Sequence, residues 1–218
     1  MRAVVTGASR GIGLELVKRL TDRGDTVLGT SRDGSACGPG QWRALDVTDP
    51  GSIAALAAAH RGPVDLLVCN AGVYLDKLHQ LDDGFPPDLW ARTFAVNVTG
   101  VFLTVQALLP QLRGAGGARI AIIGSQMGSD TKAPGGSFIY RASKAAALNL
   151  GRNLASELLP EGIAVGIYHP GWVRTDMGGT AADITVAESA MGLLDRFDAL
   201  SLASTGCFQT WDGRDHPY

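Results

Sequence analysis

The sequence predicts an α/β fold: one domain, residues 1–218, built on a doubly wound parallel sheet of about seven strands with helices on both faces. Three observations lead there. Short β-branched or apolar runs alternate with stretches of helical periodicity along the chain. The central runs are apolar throughout, as strands covered on both faces must be, and no hairpin signal joins consecutive runs. A chain of 218 residues, 45% hydrophobic, is long enough for one good core and short for two.

Residues 2–6 form the first β-branched run, and 14–20 continue with helical periodicity. Between them Gly7, Gly11 and Gly13 mark a turn spaced G-x-x-x-G-x-G. Glycines there permit unusual φ values, remove side chains where a phosphate must approach and let helix and strand pack closely. The helix start would present free N–H groups and the positive end of its dipole to a pyrophosphate. A glycine-rich turn that binds nothing is the plainer reading of the triplet alone. No Gly-Lys-Ser/Thr follows, which excludes a P-loop.

Gly24 ends the helix, and residues 26–31 read as the second strand with Arg32 and Asp33 at its carboxyl end. In a dinucleotide fold that end meets the adenosine ribose, where an arginine accommodates a 2′-phosphate and an acid a free 2′-hydroxyl. Arg10, inside the glycine loop, would add a second guanidinium, and two suit a phosphate dianion. The alternatives are two ordinary solvated arginines, or Asp33 as the ribose acid.

Residues 34–40, Gly-Ser-Ala-Cys-Gly-Pro-Gly, cannot hold a helix, so the crossover there is reduced to a loop. Residues 42–47 make a short third strand; Asp46 near its end would by itself be a cap, and Asp49-Pro50 starts a helix over 52–60. Pro63 opens the apolar run 64–69, which ends in Asn70-Ala71-Gly72. Residues 74–87 are polar and irregular and are expected on the substrate-side rim. A long helix follows over 88–112, apolar at Leu89, Phe94, Val98, Val101, Phe102, Val105, Leu108 and Leu109, with Asn97 in its middle. An asparagine there reads first as a buried amide satisfied within the structure.

The fifth strand, 119–124, ends at Ser125, and the loop 126–137 is rich in Gly, Ser and Asp. A helix over 138–159 stops at Pro160; the sixth strand, 163–168, runs into His169-Pro170-Gly171-Trp172-Val173-Arg174-Thr175-Asp176. A last helix over 188–200 and a short strand over 207–210 complete the chain.

Net charge −2 and a pI near 6.1, with basic residues scattered, leave no field to gather nucleic acid or an anionic membrane. No apolar segment is expected to reach the roughly 18 residues of a membrane helix, and the first strand leaves no room for a signal peptide, so a cytoplasmic location is expected. Cys37, Cys69 and Cys207 are odd in number and far apart, which suits reduced thiols, with Cys69 a small buried hydrophobe. His60, His79, His169 and His216 are isolated along the chain, so no metal site is expected.

Tyr140 and Lys144 stand four apart on one helix face, roughly 6 Å along the axis. An ammonium so close should pull the phenol below its usual value of about 10, making Tyr140 a general acid in reduction and a base in oxidation. Ser125, at a strand's carboxyl end fifteen residues earlier, would hydrogen-bond a substrate carbonyl.

The stretch Thr6 to Gly13, Asn70-Ala71-Gly72, Asn97, Ser125, Tyr140 with Lys144, and Pro170-Gly171 with Thr175 occur in this order. From residue 4 to residue 175 the chain resembles the short-chain dehydrogenase/reductase family. The resemblance implies a Rossmann fold with strand order 3-2-1-4-5-6-7 and hydride transfer between a nicotinamide and a carbonyl or alcohol. It implies a catalytic tetrad of Asn97, Ser125, Tyr140 and Lys144, in which Asn97 holds a relay water and Lys144 also binds the nicotinamide ribose. The cofactor residues carried over are Gly7, Ser9, Arg10, Gly11, Ile12 and Gly13 in the loop, Arg32 at the ribose, and Asp46 with Val47 at the adenine. Asn70, Ala71 and Gly72 follow along the crest, and Pro170, Gly171, Val173 and Thr175 lie at the nicotinamide end, with Tyr140 and Lys144. Family members preferring NAD tend to carry an acid where Ser31 stands and NADP users an arginine at Arg32, so NADP(H) is expected in preference to NAD(H).

Residues 140–146, 169–179 and 211–213 are most similar to the carbonyl-reductase-like group that includes sniffer and C-factor, although this chain ends Pro217-Tyr218 where that group has proline then tryptophan. The expected partner is a small carbonyl or alcohol, with pairing into a homodimer or homotetramer through helices 88–112 and 138–159. The short segment 178–187 suggests an open pocket of broad tolerance. A different reading is an NADP(H)-binding signalling or regulatory protein in which catalysis is incidental.

Overall fold

A computed structural model describes every residue except 83 and 132, so those two positions of the rim segment 74–87 and the loop 126–137 lie outside the described residues. Seven strands, β1 (Arg2–Val5), β2 (Thr26–Ser31), β3 (Gln41–Ala44), β4 (Leu66–Cys69), β5 (Arg119–Ile123), β6 (Ala164–His169) and β7 (Phe208–Thr210), form one sheet in the order β3-β2-β1-β4-β5-β6-β7. Every pairing is parallel. The order reverses between β1 and β4, which leaves a crevice at their carboxyl ends.

Alternate residues of each strand feed two cores. Val4, Leu67, Cys69, Ile120, Ile122 and Val165 pack under α2 (Pro50–Ala59), α4 (Gly100–Arg113) and α5 (Phe138–Leu158). Val5, Leu66, Val68, Ala121 and Ile123 pack under α1 (Gly11–Asp22) and α6 (Val186–Ala199). Cys69 is buried, as expected, and burial pushes its thiol up to about 12.

β3 is shorter than expected. After Ala44 the Leu45 amide still bonds to Ser31, but Asp46 then turns to donate its N–H to Ser52 Oγ and Val47 tucks under α4. No helix joins β2 to β3. Instead the Trp42 indole covers that end of the sheet against Gly29 and donates from Nε1 to the Gly38 carbonyl (2.9 Å).

The helix expected over 88–112 is interrupted. α3 (Pro87–Phe94) passes through a π-helical turn (Ala95–Thr99) into α4, where the Gly100 amide reaches back five residues to the Ala95 carbonyl. Inward faces carry Val101, Val105, Leu108 and Leu112, whereas Phe102, expected with them, points outward. The helical run 87–113 is also long and apolar enough to cross a membrane by length and composition, which corrects the expectation that no segment is. Its inner face is spent on the sheet.

Candidate active site

The crevice is built from the carboxyl ends of β1, β4, β5 and β6. At its floor Thr6 Oγ1 accepts the amides of Asn70 (3.0 Å) and Ala71 (3.1 Å), while Asn70 Nδ2 donates to the Thr6 and Gly7 carbonyls (2.9 Å each). Asn70 thus braces β4 against β1. Gly7 adopts φ +61°, and a Cβ there would stand 2.7 Å from Ala71 Cα. At Gly13 a Cβ would stand 2.7 Å from the Gly7 carbonyl oxygen. Both glycines are demanded by space.

Helix α1 begins after Arg10 with no side-chain cap and no acid in its first turn, so its leading N–H groups and dipole face outward beside exposed Ser9. That donor set fits a pyrophosphate. Gly11, at φ +55°, faces Thr175 Cγ2 at 3.5 Å from its Cβ position, which places the loop after β6 against the glycine loop.

At the carboxyl end of β2 Arg32 is exposed, near Asp46. The Thr48 side chain and amide hold Asp46 below the usual carboxylate range; the Asp46 carboxylate accepts Thr48 N (2.9 Å) and Oγ1 (2.7 Å). Asp49 is the cap of α2. Asp33 is occupied in its own turn, accepting the Ser35 amide at 3.0 Å with Ser31 Oγ 3.2 Å away. Arg10 departs from expectation: its guanidinium pairs with Asp176 (2.9 Å) beyond β6 and is not turned to Arg32. Asp176 offers the nearer countercharge.

Asn97, Ser125, Tyr140 and Lys144 are brought together, each less than a tenth exposed. Ser125 continues β5 and caps a short 3-10 turn (Gln126–Gly128), accepting Met127 N at 3.1 Å. Tyr140 sits in the first turn of α5, and Lys144 lies one turn on with Nζ 5.7 Å from the phenol ring centre. Lys144 Nζ donates to the Ile123 carbonyl (2.8 Å). Asn97 lies in the π turn. Its Nδ2 donates to the Val73 carbonyl (2.9 Å) and Ser143 Oγ (3.0 Å), and its Oδ1 accepts Val73 N (2.9 Å), so the amide is satisfied within the protein. Gly72 runs between Asn97 Oδ1 and Lys144 Nζ, 3.5 and 3.7 Å from its Cβ position.

The electrostatics correct one expectation. Burial pushes the Tyr140 phenol up to about 12; a hydrogen bond with Ser125 acts against the rise, and Tyr74 and Asp76 add to it. Lys144 does not pull it down, because desolvation dominates in a site this enclosed and the ammonium is directed at a carbonyl.

The family model for short chain dehydrogenases matches residues 1–184. The chain belongs to that family. The C-signal protein of Myxococcus xanthus is 39% identical over 158 residues, 72% of this chain and 94% of that one. An NADPH-bound carbonyl reductase from chicken fatty liver superposes with a TM-score of 0.91 at 33% identity, covering 100% of this chain and 98% of that chain. The carbonyl reductase Sniffer of D. melanogaster matches with a TM-score of 0.91 at 24% identity over 100% of this chain and 99% of that chain, a likeness in fold.

In this short-chain dehydrogenase the segment after β6 is a short closed loop: Val173 bridges Ile184, and Trp172 Nε1 donates to the Gly178 carbonyl (2.9 Å). The carboxyl-terminal Tyr218 lies over the Arg152 guanidinium (4.1 Å), and the Pro217 carbonyl accepts Ser129 Oγ (2.8 Å) from the loop after β5. His169 and His216, isolated in sequence, come together with ring centres 6.4 Å apart. Burial, with His216 beside it, pushes His169 down to about 4.

Two residues that sequence reasoning missed stand against Tyr140. Tyr74 stacks on its ring, centres 4.2 Å apart and planes at 21°, and shares a hydrogen bond with Ser137 Oγ. Asp76 is fully buried and accepts the amides of Ile139 (2.8 Å) and Tyr140 (3.2 Å). Both come from the aperiodic stretch after Gly72.

Lys144 also sets a pH dependence. Burial lowers it to about 8 from an ordinary 10.5, so between those values the unfolded chain binds a proton that the folded chain does not. Its contribution therefore makes stability rise with pH across that window and is flat on either side. In urea melts the wild type should gain on Lys144→Met from pH 8 to about 10.5; a difference constant with pH would show that residue 144 pays no desolvation cost as a cation.

Proposed function

We propose that this protein is an NADP(H)-dependent oxidoreductase that transfers hydride between the nicotinamide and a carbonyl or alcohol. The observation that carries the reading is the enclosed phenol, ammonium and hydroxyl of Tyr140, Lys144 and Ser125 at the crevice where the uncapped α1 and its glycine loop also open. The loop residues 7–13 would hold the pyrophosphate, Arg32 the 2′-phosphate, and Pro170, Gly171, Val173 and Thr175 the nicotinamide end. When bound, the nicotinamide supplies or accepts the hydride.

The protein's own share is placement and proton transfer. Ser125 orients the carbonyl and steadies the charge growing on its oxygen. Tyr140, with its phenol pushed up to about 12, holds its proton at neutral pH, which is the form a reduction needs. Lys144 would hold the ribose, and Asn97, at the π turn beside Gly72 and Lys144, would anchor a relay water. The reverse direction would call for higher pH.

NADPH and NADH titrations followed by a screen of aldehydes, ketones and quinones test the reading. Arg32→Ala should weaken NADPH by about 10-fold or more and leave NADH little changed, with the loss shrinking as salt rises; equal losses for both would place the 2′-phosphate elsewhere. The NADPH in the 33% identical carbonyl reductase supports the choice of cofactor. The 39% identity to C-signal favours a second reading, a signalling protein that binds the dinucleotide. Binding without NADPH oxidation across the screen would select it. A cytoplasmic homodimer or homotetramer joined through the 88–112 and 138–159 helices belongs to the same proposal.

A further inference from the structure

We propose that Asp76 is a positioning residue for Tyr140, a cap supplied from the loop after β4 that fixes the phenol-bearing turn of α5. The proposal rests on the reading of Tyr140 as the proton donor.

Helix α5 starts under an unusual constraint. Ser137, which precedes it, adopts φ +50°, the left-handed region, whereas a capping serine works from extended backbone. Its side chain makes no cap to the helix and instead pairs with the Tyr74 hydroxyl. The amides of the second and third helical residues, Ile139 and Tyr140, are donors an N-cap would normally satisfy. Asp76 takes both, with Oδ2 2.8 Å from Ile139 N and Oδ1 3.2 Å from Tyr140 N, across a sequence gap of more than sixty residues. Its carboxylate is fully buried and forms no ion pair among the described residues. The countercharge is the positive end of α5 itself.

The loop that carries Asp76 is anchored in turn. Asn97 holds both the amide and the carbonyl of Val73 from the π turn, Tyr74 lies flat on the Tyr140 ring, and Asp76 grips the backbone of Tyr140. Residues 73–76 therefore tie the π turn to α5 at the residue proposed to move the proton. A helix start held this way fixes where the phenol points, and displacement of a reacting group by about 1 Å costs on the order of 10²-fold in rate.

The groups that face the phenol are Tyr74 and Asp76 from the loop after β4, Ser125 from the end of β5, and Lys144 from its own helix; His169 of β6 faces Lys144. Of these Asp76 is a like charge to the phenolate, so its removal should ease ionisation of Tyr140.

Asp76→Asn keeps the shape and one acceptor while deleting the charge; Asp76→Ala deletes the cap. The phenolate absorbance is titrated in each background with and without Tyr140→Phe, so that the difference isolates residue 140, and NADPH turnover and cofactor affinity are measured on the same preparations. The expected result is a titration of Tyr140 displaced to lower pH in Asp76→Asn. Asp76→Ala should lose about 10- to 100-fold in kcat at unchanged NADPH affinity, with Asp76→Asn between it and wild type. Asp76→Ala with wild-type kcat overturns the proposal, and so does Asp76→Asn with both an unmoved titration and wild-type kcat. Wild type that is silent towards every carbonyl would overturn the proposed function instead, and the titration would still decide the role of Asp76. Should Asp76→Ala fail to fold, Asp76→Asn decides alone.

Discussion

Tyr140→Phe is expected to lower turnover by about 10²- to 10⁴-fold, the range lost when a positioned general acid is removed, while NADPH affinity and folding stay close to wild type. That factor corresponds to about 3–5 kcal/mol of transition-state stabilisation. The physical case rests on how little else changes. The ring is buried and stacked on Tyr74 at 4.2 Å, and phenylalanine fills the same volume with the same stack. The hydroxyl is the one group lost, and Ser125 loses its hydrogen-bond neighbour with it. A steady-state assay with an accepted carbonyl, alongside a fluorescence titration with NADPH, separates chemistry from binding. Turnover at the wild-type rate would mean that another group delivers the proton.

Gly7→Ala is expected to cost about 2–5 kcal/mol in stability and to weaken NADPH binding. Left-handed backbone at φ +61° costs an alanine about 1–2 kcal/mol. The added Cβ would stand 2.7 Å from Ala71 Cα, a backbone atom that no rotamer change can clear, which adds about 1–3 kcal/mol of overpacking. Pushing Ala71 disturbs Asn70, which braces β1 to β4, and Gly72, which runs between Asn97 and Lys144. Gly24→Ala supplies the comparison, since Gly24 has φ +90° and nothing within 4 Å of its Cβ position. It carries backbone strain alone. Thermal melts should therefore place Gly7→Ala well below Gly24→Ala, and equal melting points would remove the contact from the argument.

Much of the frame was legible because it follows from period and punctuation. The run 26–31 is strand β2 to the residue, right-handed crossovers between parallel runs narrow the topology, and the strand order is the one the family resemblance implied. The helical spacing of Tyr140 and Lys144 likewise holds for any straight helix. Long-range partners were not legible. Asn97 was read as a buried amide in the middle of a helix, satisfied within the structure, and so it is; which partners satisfy it, and the π turn around it, depend on a loop with no periodicity. Arg10 was assigned to a phosphate from its place in the glycine loop, while the fold sets it beside Asp176, 166 positions away in sequence. Trp42 was read as part of a strand, and its covering of the missing crossover depends on the sheet it closes.

The amino-acid sequence by itself determined the architecture and the residue types at the crevice, since hydrophobic period, glycine placement and helical spacing are local properties that survive in any context. Only the tertiary structure decided the state of the phenol and the means of holding it. Desolvation, which raises Tyr140 and lowers Lys144, is a property of what surrounds a group. The cap from Asp76 likewise exists only once β4 and α5 are packed side by side, because nothing in an aperiodic loop tells which distant amide its carboxylate will meet.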